Sequence, residues 1–186
     1  RQNRLEEIYT DGYLEFAVWD YSLDGWDDLI YLTFNSRQNT AVYYSGYRGK
    51  VGKVNEVTLS ALSTGEYVSL TPGLLESGLG GLAADAMLDN GGCITEMLAV
   101  QENRLTCLTR DEEDAMATRR EQNLTTMDYD ADGVLEIPTD ELMPGYRSRD
   151  EGEMVYRTDF YEVGQDGGLE YDFSAVVNQN GGYYFR

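Results

Sequence analysis

Two nine-residue stretches carry the side chains that could do chemistry, and in both the chemistry is the capture of a hard cation. The first is Asp20-Tyr21-Ser22-Leu23-Asp24-Gly25-Trp26-Asp27-Asp28, and the second is Asp128-Tyr129-Asp130-Ala131-Asp132-Gly133-Val134-Leu135-Glu136. Numbered from one to nine, each offers an oxygen-bearing side chain at positions one, three, five and nine, with glycine at six. Calcium gathers about six to eight oxygens at roughly 2.3–2.6 Å. A chain that wraps such an ion turns alternate residues inward, then bends sharply where glycine bears the strain. Position seven can give a backbone carbonyl, so Trp26 and Val134 are free to differ, and Asp28 and Glu136 close the shell. The candidate ligands are therefore Asp20, Ser22, Asp24, Trp26 and Asp28 in one loop, and Asp128, Asp130, Asp132, Val134 and Glu136 in the other. Asp-Gly pairs are also good turn formers with no ion present. Agreement of two loops at five positions favours the ion, and the second loop, with three aspartates and a glutamate, is the stronger.

The helical EF-hand opens in the same way but needs a bidentate glutamate at position twelve and helices on either side. Tyr31 and Thr139 stand at that position here, and Pro138 follows the second loop closely. These are EF-hand-like loops set between strands. The missing ligand predicts weak binding, on the order of 10⁻⁴–10⁻³ M.

Other chemistries find little support. The chain has no histidine, which removes the usual general base, the Ser-His and Cys-His nucleophile pairs and most zinc sites. Its 34 acids against 14 bases give a net charge of −20, which repels phosphate backbones and anionic lipid and attracts cations. Nucleic acid and direct membrane insertion are thus poor expectations, and no apolar run approaches the ~18 residues of a spanning helix. Carboxylate pairs remain as an enzymatic alternative, with Asp27-Asp28 or Glu112-Glu113-Asp114 as candidates. A glycoside hydrolase would need two such groups about 5–9.5 Å apart across a cleft, whereas a run of adjacent acids is ordinarily a solvated face.

The elements that must hold the loops are strands. Tyr13–Trp19 and Leu29–Phe34 flank the first loop, and Thr40–Tyr44 follows. Val54–Leu62 and Glu66–Leu70 come next. Leu74–Leu88 has helical spacing at Leu75, Leu79, Leu82 and Ala86, but Gly78, Gly80 and Gly81 argue for a strand over Leu82–Met87. A hairpin spans 93–100 and 104–109, with Cys107 opposite Leu98. That places Cys93 and Cys107 on opposite faces and predicts two buried free thiols. A charged loop with room for a helical turn covers Arg110–Asp114, and 117–120 and 124–127 read as extended. Val155–Val163 and Leu169–Val177 form hairpin arms about Gln165-Asp166-Gly167-Gly168, and a last strand follows Asn180-Gly181.

An acidic loop followed by an apolar strand, a turn and another strand recurs from Asp20, Asp85 and Asp128, which suggests stacked repeats over approximately 10–50, 51–110 and 115–186. The middle copy, Asp85-Ala86-Met87-Leu88-Asp89-Asn90-Gly91, lacks the ligand pattern. The runs Asp20–Leu29 and Asp128–Ile137 resemble the FG-GAP/VCBS repeat, the calcium-loop blade of integrin-type β-propellers, and the overall texture is similar to that of secreted bacterial lipoproteins. The resemblance implies an all-β fold, a partial or open propeller-like arrangement of about three antiparallel blades in one domain over 1–186, with Ca²⁺ in the two loops. It also implies an extracellular or cell-surface setting, and a non-catalytic structural or binding role toward a protein or glycan. An architectural accessory domain of a larger secreted enzyme is the neighbouring possibility. Tyr21, Trp26 and Tyr129 could stack on sugar, but ordinary edge packing within a blade is the preferred reading of all three. Three blades do not close a propeller, which takes about four to eight. We therefore expect either further blades in a longer protein or an open assembly of sheets.

Overall fold

Short runs of alternating apolar and polar residues, rich in tyrosine and separated by glycine-bearing turns, favour strands that pair with their neighbours in sequence. The structure, a computed structural model, describes residues 14–33, 39–59, 66–88, 92–110, 112–122, 124–147, 154–164, 168–178 and 183–184. Its strands form three open antiparallel sheets, each running in sequence order. The first holds β1 (Leu14–Trp19), β2 (Asp28–Thr33), β3 (Asn39–Tyr47) and β4 (Lys50–Leu59). The second holds β5 (Glu66–Glu76), β6 (Leu79–Met87), β7 (Cys93–Gln101) and β8 (Arg104–Cys107). A single helical turn and a half, α1 (Glu112–Ala117), precedes the second acidic loop. The third sheet holds β9 (Ile137–Arg147), β10 (Met154–Val163), β11 (Leu169–Asn178) and β12 (Tyr183–Tyr184).

The expected all-β architecture is thus present, with differences that have local causes. Arg48 and Gly49 both take positive φ, 49° and 74°, and this tight turn folds β4 back onto β3 rather than into the second sheet. β6 begins at Leu79, ahead of the expected Leu82, because Gly78 makes the turn at φ 85°. Gly80 then serves a close approach: a Cβ there would lie 2.2 Å from the carbonyl oxygen of Tyr21 in the first loop. The hairpin β7–β8 has the expected register, Leu98 opposite Cys107, and neither cysteine is in a disulfide; Cys93 is buried as expected, whereas Cys107 is only half-buried. Residues 117–120 and 124–127, expected to be extended, contribute the end of α1 and two isolated bridges, because side chains claim much of their backbone. β9, which the sequence pattern did not single out, carries Pro138 and sits at a sheet edge, where a missing N–H does little harm. The expectations for Tyr13, Phe34, 60–62, 89–91, 165–167, 180–181 and Phe185 lie outside the described residues.

The middle sheet is covered on both faces. Leu82, Ala84, Ala86, Ile94 and Leu98 pack against Ala17, Ile30, Leu32, Ala41 and Tyr43 of the first sheet. On the opposite face Ala83, Met97 and Ala99 meet Leu135, Ile137 and Val163 beside the third. That second face also holds a polar knot. The Asp85 carboxylate accepts hydrogen bonds from Arg120 Nη2 at 2.7 Å, Thr95 Oγ1 at 2.7 Å, Thr126 Oγ1 at 2.8 Å and the Thr126 amide at 2.8 Å. Arg120 also donates to Thr95 Oγ1, Thr118 O and Leu124 O. Both ions are fully buried, so each depends on the other for its charge. The knot anchors residues 118–127, the run that leads into the second acidic loop.

Candidate metal centre

The loop 128–136 is closed at its base by paired backbone bonds between Met127 and Glu136. The Leu135 amide donates to Leu74 O at 2.8 Å, which docks the loop on β5. Between these anchors the chain takes two left-handed residues, Ala131 at φ 66° and Gly133 at φ 99°. The wide φ at Gly133 is what position six demands. A Cβ there would touch nothing within 4 Å, so the constraint on this residue is conformation and not space.

This backbone turns the side chains inward. Asp128, Asp130, Asp132 and Glu136 each bring a carboxylate oxygen to within 4.8 Å of the others. Some of their oxygens are taken by the loop itself: Gly133 N donates to Asp128 Oδ2 at 3.1 Å, Asp132 N to Asp130 Oδ1 at 3.0 Å, and Val134 N to Asp132 Oδ1 at 2.8 Å. The Tyr129 amide donates to Glu136 Oε2. Two oxygens remain unanswered. Asp128 Oδ1 and Glu136 Oε1 are buried with no hydrogen-bond partner, and Glu136 as a residue is 0% exposed. Burial, then the charges of Asp130, Asp128 and Asp132, push the Glu136 carboxyl up to about 7 against the hydrogen bond from Tyr129. A buried acceptor without a donor is costly, and one ion among these oxygens would remove that cost for both. The donor set is all oxygen, which suits a hard cation such as calcium.

The first loop has the same backbone with a different outcome. Leu23 and Gly25 take φ 57° and 89°, the counterparts of Ala131 and Gly133. Asp20 Oδ2 accepts from Gly25 N at 2.8 Å and Asp24 Oδ1 from Trp26 N at 3.0 Å, as their equivalents do in the second loop. Position nine is where the loops part. Asp28 is shorter than Glu136 by a methylene and both its oxygens are occupied: Oδ2 accepts from Ser22 N at 2.9 Å and Tyr43 Oη at 3.0 Å, and Oδ1 from Gly46 N at 2.8 Å. Among the described residues Asp20, Asp24 and Asp28 form no converging carboxylate group. Ser22 Oγ lies near the Tyr43 hydroxyl but is buried without a hydrogen bond of normal geometry. For Ser22 and the Trp26 carbonyl, ligation rests on spacing alone.

Of the candidate sugar-stacking rings, Tyr21 is in the core at 0% exposure, T-shaped against Trp19 at 5.7 Å, so it cannot reach a ligand. Tyr129 lies on Phe160 with ring centres 4.7 Å apart. Trp26 is 43% exposed beside the exposed Tyr47. Among the acids drafted for catalysis, Asp28 is buried in its hydrogen bonds, Asp27 is exposed, and Asp114 is paired with Arg110 at 2.9 Å.

Sequence spacing missed two acids that the fold brings to the second loop. Glu162 on β10 and Asp172 on β11 converge with Glu136 to within 4.8 Å. They lie 26 and 36 residues beyond Glu136 by number (162 − 136 and 172 − 136), too far for any local motif to flag. No protein-family model, curated protein or solved structure matches the chain.

Proposed function

We propose that this chain is a non-catalytic calcium-binding β module, with the ion held by Asp128, Asp130, Asp132, Glu136 and the Val134 carbonyl. Its role is structural: the ion ties the 118–136 run and the start of β9 into one rigid loop, which a protein or glycan partner can meet. The single observation that carries this is the pair of buried, unanswered oxygens, Asp128 Oδ1 and Glu136 Oε1, inside a converging set of four carboxylates. The resemblance of the loop to the FG-GAP/VCBS repeat supports calcium as the ion and a cell-surface or extracellular setting. Three four-stranded meanders laid in sequence support a propeller-like arrangement of blades. A raised glutamate among aspartates is also the look of a catalytic acid. Glu136 is wholly buried, however, and a general acid must reach its substrate, so the cation is the better account.

Thermal unfolding in calcium, in magnesium and in chelator tests this on the wild type and on Asp132→Ala. Calcium at 100 times its dissociation constant should add about 2.7 kcal/mol, a rise in midpoint of roughly 5–10 °C for a chain of this size. Asp132→Ala should lose most of that rise. An identical midpoint in chelator and in calcium would overturn the proposal and leave the Asp-Gly run as a turn.

A further inference from the structure

The third sheet delivers two acids to the neighbourhood of the loop, and a bulge delivers one of them. In β10 and β11 Phe160 pairs with Phe173 and Tyr161 with Tyr171, so Asp172 has no partner across the ladder. The extra residue reverses the alternation of faces along β11. Tyr171 meets Tyr161 on one side of the sheet, with ring centres 6.0 Å apart, and Phe173 stacks on Phe160 on the other at 4.5 Å. Glu162, two residues beyond Phe160, shares its face, and Tyr129 of the loop rests on that same Phe160.

The acids fall into two sets that share one member. Asp128, Asp130 and Asp132 converge with Glu136, and so do Glu162 and Asp172, each set within 4.8 Å, but the six do not converge on a single centre. Glu136 belongs to both sets and is wholly buried with Oε1 unpartnered. Among the described residues the charges that act on Glu162 (Asp132, Asp172, Asp130 and Glu170) and on Asp172 (Asp130 and Asp132) are negative. No base on β10 or β11 answers this repulsion, since Arg157 is turned to Asp159 at 2.9 Å.

We propose a second divalent-cation position between Glu136, Glu162 and Asp172, distinct from that of the loop, with the Glu136 carboxylate bridging the two ions. A carboxylate has about four lone-pair sites, enough for the Tyr129 amide and an ion on either side. The position suits a hard cation, and the exposure of Asp172 leaves the rest of its shell to water. Its effect would be to clamp onto the loop β10 and β11, which the loop ion alone does not reach. This rests on the loop being a cation site, because the bridging glutamate is the last ligand of that loop.

Equilibrium dialysis against radiolabelled calcium counts the ions directly, on the full chain as wild type, Glu162→Gln/Asp172→Asn and Asp130→Asn/Asp132→Asn. The first double variant should bind one calcium fewer per chain than wild type and keep a chelator-sensitive midpoint. The second should lose the loop ion and with it most of the chelator-sensitive rise in midpoint. Unchanged stoichiometry in Glu162→Gln/Asp172→Asn, with or without weaker affinity, would overturn the second position while leaving the loop site standing. An undiminished calcium response in Asp130→Asn/Asp132→Asn would remove the loop site itself, and the second position with it. Should the double variant fold poorly in chelator, Asp172→Asn alone, at an exposed residue, decides the same point: no loss of a bound ion overturns the proposal.

Discussion

At Glu136 a buried carboxylate sits beside three aspartates with one oxygen unanswered. In the absence of an ion this arrangement works against the fold, since burial and repulsion both disfavour the charge. Glu136→Gln keeps the shape and the acceptor for the Tyr129 amide while removing the charge. It should raise the midpoint of the chelated protein by a few degrees, corresponding to about 1 kcal/mol, and abolish the calcium response; scanning calorimetry in both conditions checks it. Asp24→Ala, in the first loop, should leave the calcium response unchanged, because the closing carboxylate of that loop is saturated by Ser22, Tyr43 and Gly46. Cys107 offers a separate test at this scale. Burial, then the charge of Glu96, pushes its thiol up to about 12, so at pH 8 the thiolate is scarcer by orders of magnitude than for a free cysteine. Alkylation by iodoacetamide should be correspondingly slow in the native protein and fast after denaturation.

Among the described residues, 118–122 and 124–127 form an irregular run that side-chain hydrogen bonds hold in place. Its ion pair, Arg120 with Asp85, is fully buried. Removing one partner strands the other charge, which costs about 3–5 kcal/mol. Arg120→Met should therefore unfold at markedly lower denaturant, and Asp85→Asn added to it should recover part of the loss, as urea titration of the single and double variants will show. The same change should weaken calcium binding, because Thr126 donates two hydrogen bonds to Asp85 one residue before the loop closes at Met127. Asp85, expected to open a third acidic loop, lies instead within β6, where its carboxylate holds an arginine.

The whole molecule carries a charge of −20, and self-repulsion at that level destabilises any compact state. Sodium chloride should raise the midpoint of the calcium-free protein by general screening. This rise should persist in Asp132→Ala, whereas most of the response to saturating calcium should be lost. The two together separate a specific ion from an ion atmosphere. The three sheets place the middle one between two apolar interfaces, so loss of the loop ion should loosen the outer face of this stack, at Leu135 and Ile137, before the inner one. Hydrogen exchange in chelator should show protection falling first in β9 and last in β6 and β7.

Much of this was legible in the residues alone. The two Asp loops share spacing and, in the structure, share their left-handed positions, because a turn of that kind is dictated locally by the residues within it. The register of β7 on β8 followed from a two-residue turn for the same reason. The sequence could not tell the loops apart in strength beyond counting acids. What separates them is the Tyr43 hydroxyl and the Gly46 amide, which fill the first loop's closing carboxylate from another strand. Nor could it place Tyr21 in the core, pair Asp85 with Arg120, or bring Glu162 and Asp172 to Glu136. Turns and ladders between neighbouring strands depend on residues close in the chain, so their chemistry is written there. Which carboxylate is satisfied and which is left bare depends on groups that only packing between strands and sheets brings within reach.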